Sequence, residues 1–131
     1  SRGLGDVYKR QEEELARTKH GVITHDGPML VRNNISQIEV PDDFPENIYI
    51  TFDVDGLDPS VITATGTPVP GGLGFYQSLD LVESTLRGRR CVGIDITELA
   101  PVEGQTSNDF TAALICYTIM AMAAKTTLKF T

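Results

Sequence analysis

Apolar positions along the chain gather into a few long runs separated by polar, Gly- and Pro-rich stretches. Residues 48–54, IYITFDV, are apolar without alternation, which predicts a strand covered on both faces. Residues 90–99, RCVGIDITEL, predict a second buried strand. Between them, residues 75–88 place Leu79, Val82 and Leu86 on one face of an amphipathic helix that Gly88 stops. Ser107 or Asn108 is the predicted cap of a helix running to about Lys125. That helix is apolar nearly all round, so it is either buried or part of a subunit contact.

The first forty-odd positions carry weaker signals. Residues 8–19 predict a charged helix, with Glu12, Glu13 and Glu14 ahead of Arg17 and Lys19 as the helix dipole prefers. Residues 21–26, GVITHD, predict a short strand, and GPMLVRNN and EVPDDFPEN predict loops punctuated by Pro28, Pro41 and Pro45. Residues 55–74 form a long Gly-, Pro- and Thr-rich loop. Strands alternating with helices predict βαβ units and a parallel sheet, an α/β class, with no internal repeat and no interdomain linker.

Composition narrows the function. The 131 residues are 40% apolar and 22% charged, as in a folded domain. The formal charge of −7 is spread along the chain, which argues against nucleic acid and anionic membrane as partners and fits cationic substrates or divalent metals. Cys91 and Cys116 stand far apart with no metal-binding spacing, as expected of two buried, reduced thiols in a cytoplasmic protein. The polar N-terminus has no signal-peptide core, and the apolar stretch Phe110 to Ala124 is too short to span a bilayer.

Chemistry concentrates where the first strand ends, in ITFDVDGLDPS, residues 50–60. Asp53 and Asp55 are two apart, so a continuing strand points both to one side, where they repel unless a cation lies between them. Capping the next turn is the plainer role for Asp before Gly. An EF-hand is excluded by spacing, since Gly56, Leu57 and Ala64 occupy the fourth, fifth and twelfth places counted from Asp53. The stretch also resembles the first motif of haloacid-dehalogenase-type phosphatases, which implies Asp53 as nucleophile. That pattern, however, continues with Thr where Leu57 stands, and the downstream acidic pair is not found in its usual form.

Three blocks taken together resemble the ureohydrolase family, which includes arginase and agmatinase. They are FDVDGLDP, ATGTPVPGGL and GIDITELAP, in that order over roughly residues 20–125. The resemblance implies a three-layer α/β/α fold with a parallel sheet, here as its incomplete C-terminal half. It implies hydrolysis of a guanidino compound to urea and an amine at two Mn²⁺ ions, Asp53 bridging both and Asp55 binding one. Hard oxygen donors suit Mn²⁺, and a metal pair about 3.5–4 Å apart makes hydroxide available near neutral pH. Glu98 matches the glutamate that holds the guanidinium, a role suited to paired charge-assisted hydrogen bonds; without the resemblance it is a surface Glu after a strand. Thr67 matches a position supporting that glutamate, beside the equal alternative of a turn hydroxyl. Asp58 is read as structural, bonding backbone in the turn, and Asp95, inside an apolar run, as requiring a partner.

Two departures stand out. Thr63 occupies a place where the family carries proline, which loosens the loop. The family's earlier G-G-D-H and D-A-H-x-D blocks are missing, and His20 and His25 match neither, so no residue is assigned a catalytic role. The expected division is an N-terminal segment 1–19, partly a non-native or truncated junction, and residues 20–131 as the C-terminal part of a ureohydrolase domain. Such a fragment is expected to be inactive alone. A complete version is expected to take a small cationic guanidino substrate, somewhat more agmatine-like than arginine-like, and to form a homo-oligomer, a trimer or hexamer. A non-catalytic interaction module is the further alternative.

Overall fold

The computed structural model describes residues 4–128; the ends of the N-terminal segment and of the chain, residues 1–3 and 129–131, lie outside the described residues. Helix α1 spans Leu4–Lys19 and starts earlier than its charge pattern suggests. Its Arg17 pairs with Glu13 at 2.5 Å one turn back, on an exposed surface where such a pair contributes little. Residues 21–26 form no strand and are exposed; among the described residues this short β-branched run has no pairing neighbour to complete a ladder. The stretch expected to be a loop is instead helix α2, Gly27–Arg32, with Pro28 in the first turn, where its missing N–H costs nothing. Leu30 anchors it in the interior, and the Gln77 side chain donates to the Leu30 and Ile35 carbonyls at 3.1 and 2.8 Å.

The two apolar runs form strands β1, Asn47–Asp53, and β2, Arg90–Thr97, paired in parallel. A parallel pair needs a crossover, supplied here by helix α3, Phe75–Leu86, and the long loop before it. The register matches Ile50 with Ile94, Phe52 with Ile96 and Asp53 with Thr97, after an irregularity between Ile48 and Tyr49. Ile50, Phe52, Ile94 and Ile96 pack on a core of Val54, Leu57, Ile62, Leu79, Ala112, Ile115 and Ile119. The opposite face is not covered by the described residues: Tyr49 is 58% exposed and Thr51 is exposed. The strands therefore lack the two-sided cover that their composition predicts. A groove of 380 Å³ runs beside β1, lined by successive residues Tyr49 to Asp53 together with Leu81 and Val82. Because successive strand residues point to opposite faces, that lining marks an open strand edge rather than a sheet face.

Helix α4, Thr106–Thr127, begins after Gln105, and neither Ser107 nor Asn108 is its cap. Asn108, Ala112, Ile115, Ile119 and Ala123 are buried, at spacings that keep one face on the core. Phe110 and Tyr117, each 72% exposed, mark an apolar outer face. By length and composition alone α4 as a whole, which extends beyond the apolar run Phe110 to Ala124, is long and apolar enough to cross a bilayer, as core helices also can be, and here one of its faces lies in the core. Cys91 and Cys116 are free and half-buried rather than buried.

Gly72 sets how closely the far end of the crossover loop can approach its beginning, just after the turn that follows β1. A Cβ there would lie 2.5 Å from the Leu57 carbonyl carbon and 2.6 Å from the Asp58 nitrogen, both backbone atoms that cannot turn away. This contact accompanies a parallel bridge between Leu57 and Leu73. Gly72→Ala should therefore destabilise the chain by about 1–3 kcal/mol. Gly66→Ala, whose methyl meets nothing within 4 Å, is the control. Urea-unfolding midpoints compare the two, and equal values would refute the close-approach account.

Candidate functional site

β1 ends at Asp53, whose Oδ1 accepts the Asp55 N–H at 2.8 Å and so caps a single 3-10 turn, Val54–Gly56. Val54 at the start of that turn is completely buried, which fixes it against the core. The strand does not continue through Asp55, so the two carboxylates are related by a turn and not by strand alternation. Asp55 is half-buried; its Oδ2 accepts a short hydrogen bond from the Thr67 hydroxyl, while its Oδ1 is buried without a hydrogen-bond partner. Thr67 thus meets Asp55, the aspartate, where the sequence suggests support of Glu98.

The loop carrying Thr67 is zipped to the end of β1. Asp58 donates its backbone N–H to the Leu73 carbonyl, and Leu73 donates to the Gly56 carbonyl, both at 2.9 Å. The Asp58 side chain accepts from Ser60 N and from Gly71 N, each at 2.9 Å. The hydrogen bond from Ser60, followed by those from the Gly71 and Gly72 amides, holds the Asp58 carboxyl below its ordinary range against a smaller opposing effect of burial. Its role is structural, as its sequence position suggests.

β2 ends at Thr97, level with Asp53, and Glu98 follows immediately. Parallel pairing puts Asp53 and Glu98 at the same edge of the sheet, the edge where open α/β sheets bind ligands. Glu98 is exposed and adopts a φ of 65°, a left-handed conformation that side chains other than glycine rarely hold. Two residues on, Ala100 N donates to the Ala64 carbonyl at 2.8 Å, tying this edge to the crossover loop. The groove beside β1 includes Asp53 but neither Asp55 nor Glu98.

On the uncovered sheet face, Asp95 accepts from the Tyr49 hydroxyl at 3.0 Å and from the Thr51 hydroxyl at 2.5 Å, the partners its position calls for. Accepting this bond from Tyr49, the carboxylate also raises the phenol above its ordinary pKa. Gly93 leaves room for the Tyr49 ring, which a Cβ there would meet at 2.4 Å. His20 and His25 are exposed. Sequence reasoning offered Asn108 only as a helix cap and missed its role in the loop: only 6% exposed, it accepts from the Thr63 backbone N–H at 2.9 Å and from the Thr63 hydroxyl at 3.3 Å. Thr63, expected to loosen the loop, is pinned instead.

Whether these residues suit a divalent cation follows from their donors. Asp55 Oδ1 is a buried carboxylate oxygen with no hydrogen bond, and Asp53 has a second oxygen beside the one capping the turn. Hard oxygens of this kind fit Mn²⁺. Their number is small, because among the described residues no group of three or more His, Cys, Asp or Glu side chains gathers at metal-binding distance. Asp53 and Asp55 fit two ligand places of a metal site, not a whole one.

A family model described as the Arginase family matches residues 2–124. The N(1)-aminopropylagmatine ureohydrolase of Thermus thermophilus is 38% identical over 108 residues, covering 82% of this chain and 36% of that protein. Among solved structures, the arginase from Medicago truncatula superposes with a TM-score of 0.60 at 25% identity, over 85% of this chain and 36% of the other. The agmatine ureohydrolase of Thermoplasma volcanium gives 0.56 at 29% identity, over 72% and 31%. The chain thus spans little more than a third, 36%, of the length of the Thermus relative.

The Asp58 bonds carry a pH signature. Because folding lowers this carboxyl's pKa, its stabilisation is present above the unfolded value and is lost as pH falls through the folded one. Asp58→Asn should lower the urea midpoint at about pH 7, and the difference from the parent should shrink steadily as pH falls below the ordinary carboxylate range and the folded carboxyl takes up its proton. A midpoint difference that stays constant as pH falls would show that the charge plays no part.

Proposed function

The chain belongs to the arginase family, and from that premise we propose that it carries the guanidinium-binding carboxylate and two metal-binding carboxylates of a ureohydrolase acting on an agmatine-type substrate. The observation that carries the reading is the register of β1 on β2, which brings Asp53 and Glu98 to one sheet edge. Family membership favours the guanidine reading of Asp53 over the phosphate reading. The agmatine preference rests on the names of similar proteins from Thermus and Thermoplasma.

Overall, water adds to the guanidinium carbon, the bond from that carbon to the alkylated nitrogen breaks, and urea and an amine depart. Glu98 holds the planar guanidinium through paired charge-assisted hydrogen bonds, placing its carbon at the sheet edge. Asp53 and Asp55 would hold Mn²⁺, which when bound supplies hydroxide near neutral pH. Thr67 donates to Asp55 Oδ2 and leaves Oδ1 as the oxygen free to bind. The acidic balance of the chain, −7, favours approach of a cationic substrate. The free thiols support a cytoplasmic setting, and the exposed apolar face of α4 supports a homo-oligomer.

Two substitutions in the protein that carries this chain separate these roles. Asp53→Asn should lower Mn²⁺ content and urea release together, because a neutral amide is the poorer ligand. Glu98→Gln should keep the metal and raise KM for the guanidino substrate by about tenfold or more, since an ordinary hydrogen bond replaces a charge-assisted one. Metal content and urea formation with added Mn²⁺ are the measurements. Failure of the unmutated protein to release urea from agmatine, its aminopropyl derivative or arginine would overturn the proposal.

A further inference from the structure

The left-handed backbone of Glu98 needs an explanation. A non-glycine residue in this region is strained and persists only where its surroundings over-determine it. Glu98 is held on one side by the ladder, which ends at Thr97, and on the other by Leu99 packed against the core and by the bond from Ala100 N to the Ala64 carbonyl, at 2.8 Å. Ala64 is 3% exposed and Ile62 is 1% exposed, so both sides of Thr63 are set into the interior. Thr63 itself is held by Asn108, which reaches it from the first turn of α4. The rest of α4 is fixed by Ala112, Ile115 and Ile119 in the core, so Asn108 stands on a rigid support. Four residues after Thr63, the same loop delivers the Thr67 hydroxyl to Asp55.

We propose that Asn108 is a positioning residue: by accepting the Thr63 N–H it fixes the loop that holds Glu98 through Ala64 and Ala100, and orients Asp55 through Thr67. Its importance for substrate rests on the proposed role of Glu98. The chemistry requires an acceptor at this place. The Thr63 amide points at Asn108, and an apolar side chain there would leave a part-buried donor without a partner. A cap of the helix would not explain it, because Asn108 lies inside α4 and gives its oxygen to another segment.

The test uses the protein that carries this chain, comparing Asn108→Ala and Asn108→Asp by hydrogen exchange and by steady-state kinetics with Mn²⁺ and agmatine. In Asn108→Ala the amides of Thr63 and Ala100 should both exchange about tenfold faster, and kcat/KM should fall by a similar factor, because Glu98 and Asp55 both lose the support of the loop. Asn108→Asp keeps an acceptor oxygen, so exchange and kcat/KM should remain close to the parent values. Unchanged exchange at Ala100 in Asn108→Ala overturns the inference, whatever happens to activity. Should Asn108→Ala fail to fold, Asn108→Asp decides alone: protection retained at Thr63 and Ala100 supports the inference, and protection lost at either overturns it. Exchange that responds in a protein releasing no urea overturns the substrate role through the proposed function, and leaves Asn108 a clamp on the loop only.

Discussion

The two ends of the candidate site, Asp53 and Glu98, take their places from the parallel pairing of β1 with β2. Parallel strands end at the same edge, so the residues leaving them emerge side by side even though the crossover separates them in sequence. Asp53 and Thr97 are level in the ladder, and Asp55 and Glu98 follow within two residues. The apolar face of the pair, Ile50, Phe52, Ile94 and Ile96, provides the burial that keeps this ladder in register.

The crossover loop is then made to return to that edge by polar groups rather than by apolar packing alone. Asp58 bonds the amides of Ser60 and Gly71, Gly72 permits an approach that any Cβ would block, and Asn108 holds Thr63. These attachments explain how a loop rich in Gly, Pro and Thr can present Thr67 to Asp55 in a defined geometry. They also divide the aspartates by task. Asp58 has its oxygens engaged by backbone donors, whereas Asp55 keeps one buried oxygen free of hydrogen bonds. A carboxylate oxygen in that state is suited to a cation.

Two accessible parts of the structure are apolar: one face of α4, and the groove along the open edge of β1. Open edges and apolar helix faces are where further chain or further subunits add to an α/β sheet. The match with the Thermus relative covers 36% of that protein.

The sequence by itself determined the two strands, α3 and α4, because long apolar runs and a helical repeat are local signals that burial reinforces. It also determined the family, through three motifs in order, and marked Asp53, Asp55 and Glu98 for attention. It misread α2, where Gly27 and Pro28 resemble loop punctuation but Pro suits a first helical turn, and it placed a strand at 21–26 that has no neighbour to pair with among the described residues. Only the tertiary structure decided that Thr67 turns to Asp55, twelve residues away, and that Asn108 leaves the helix end uncapped to hold Thr63, forty-five residues away. A side-chain hydrogen bond depends on which groups the packed elements bring within about 3 Å, and that distance is set by the pairing of strands and burial of helices.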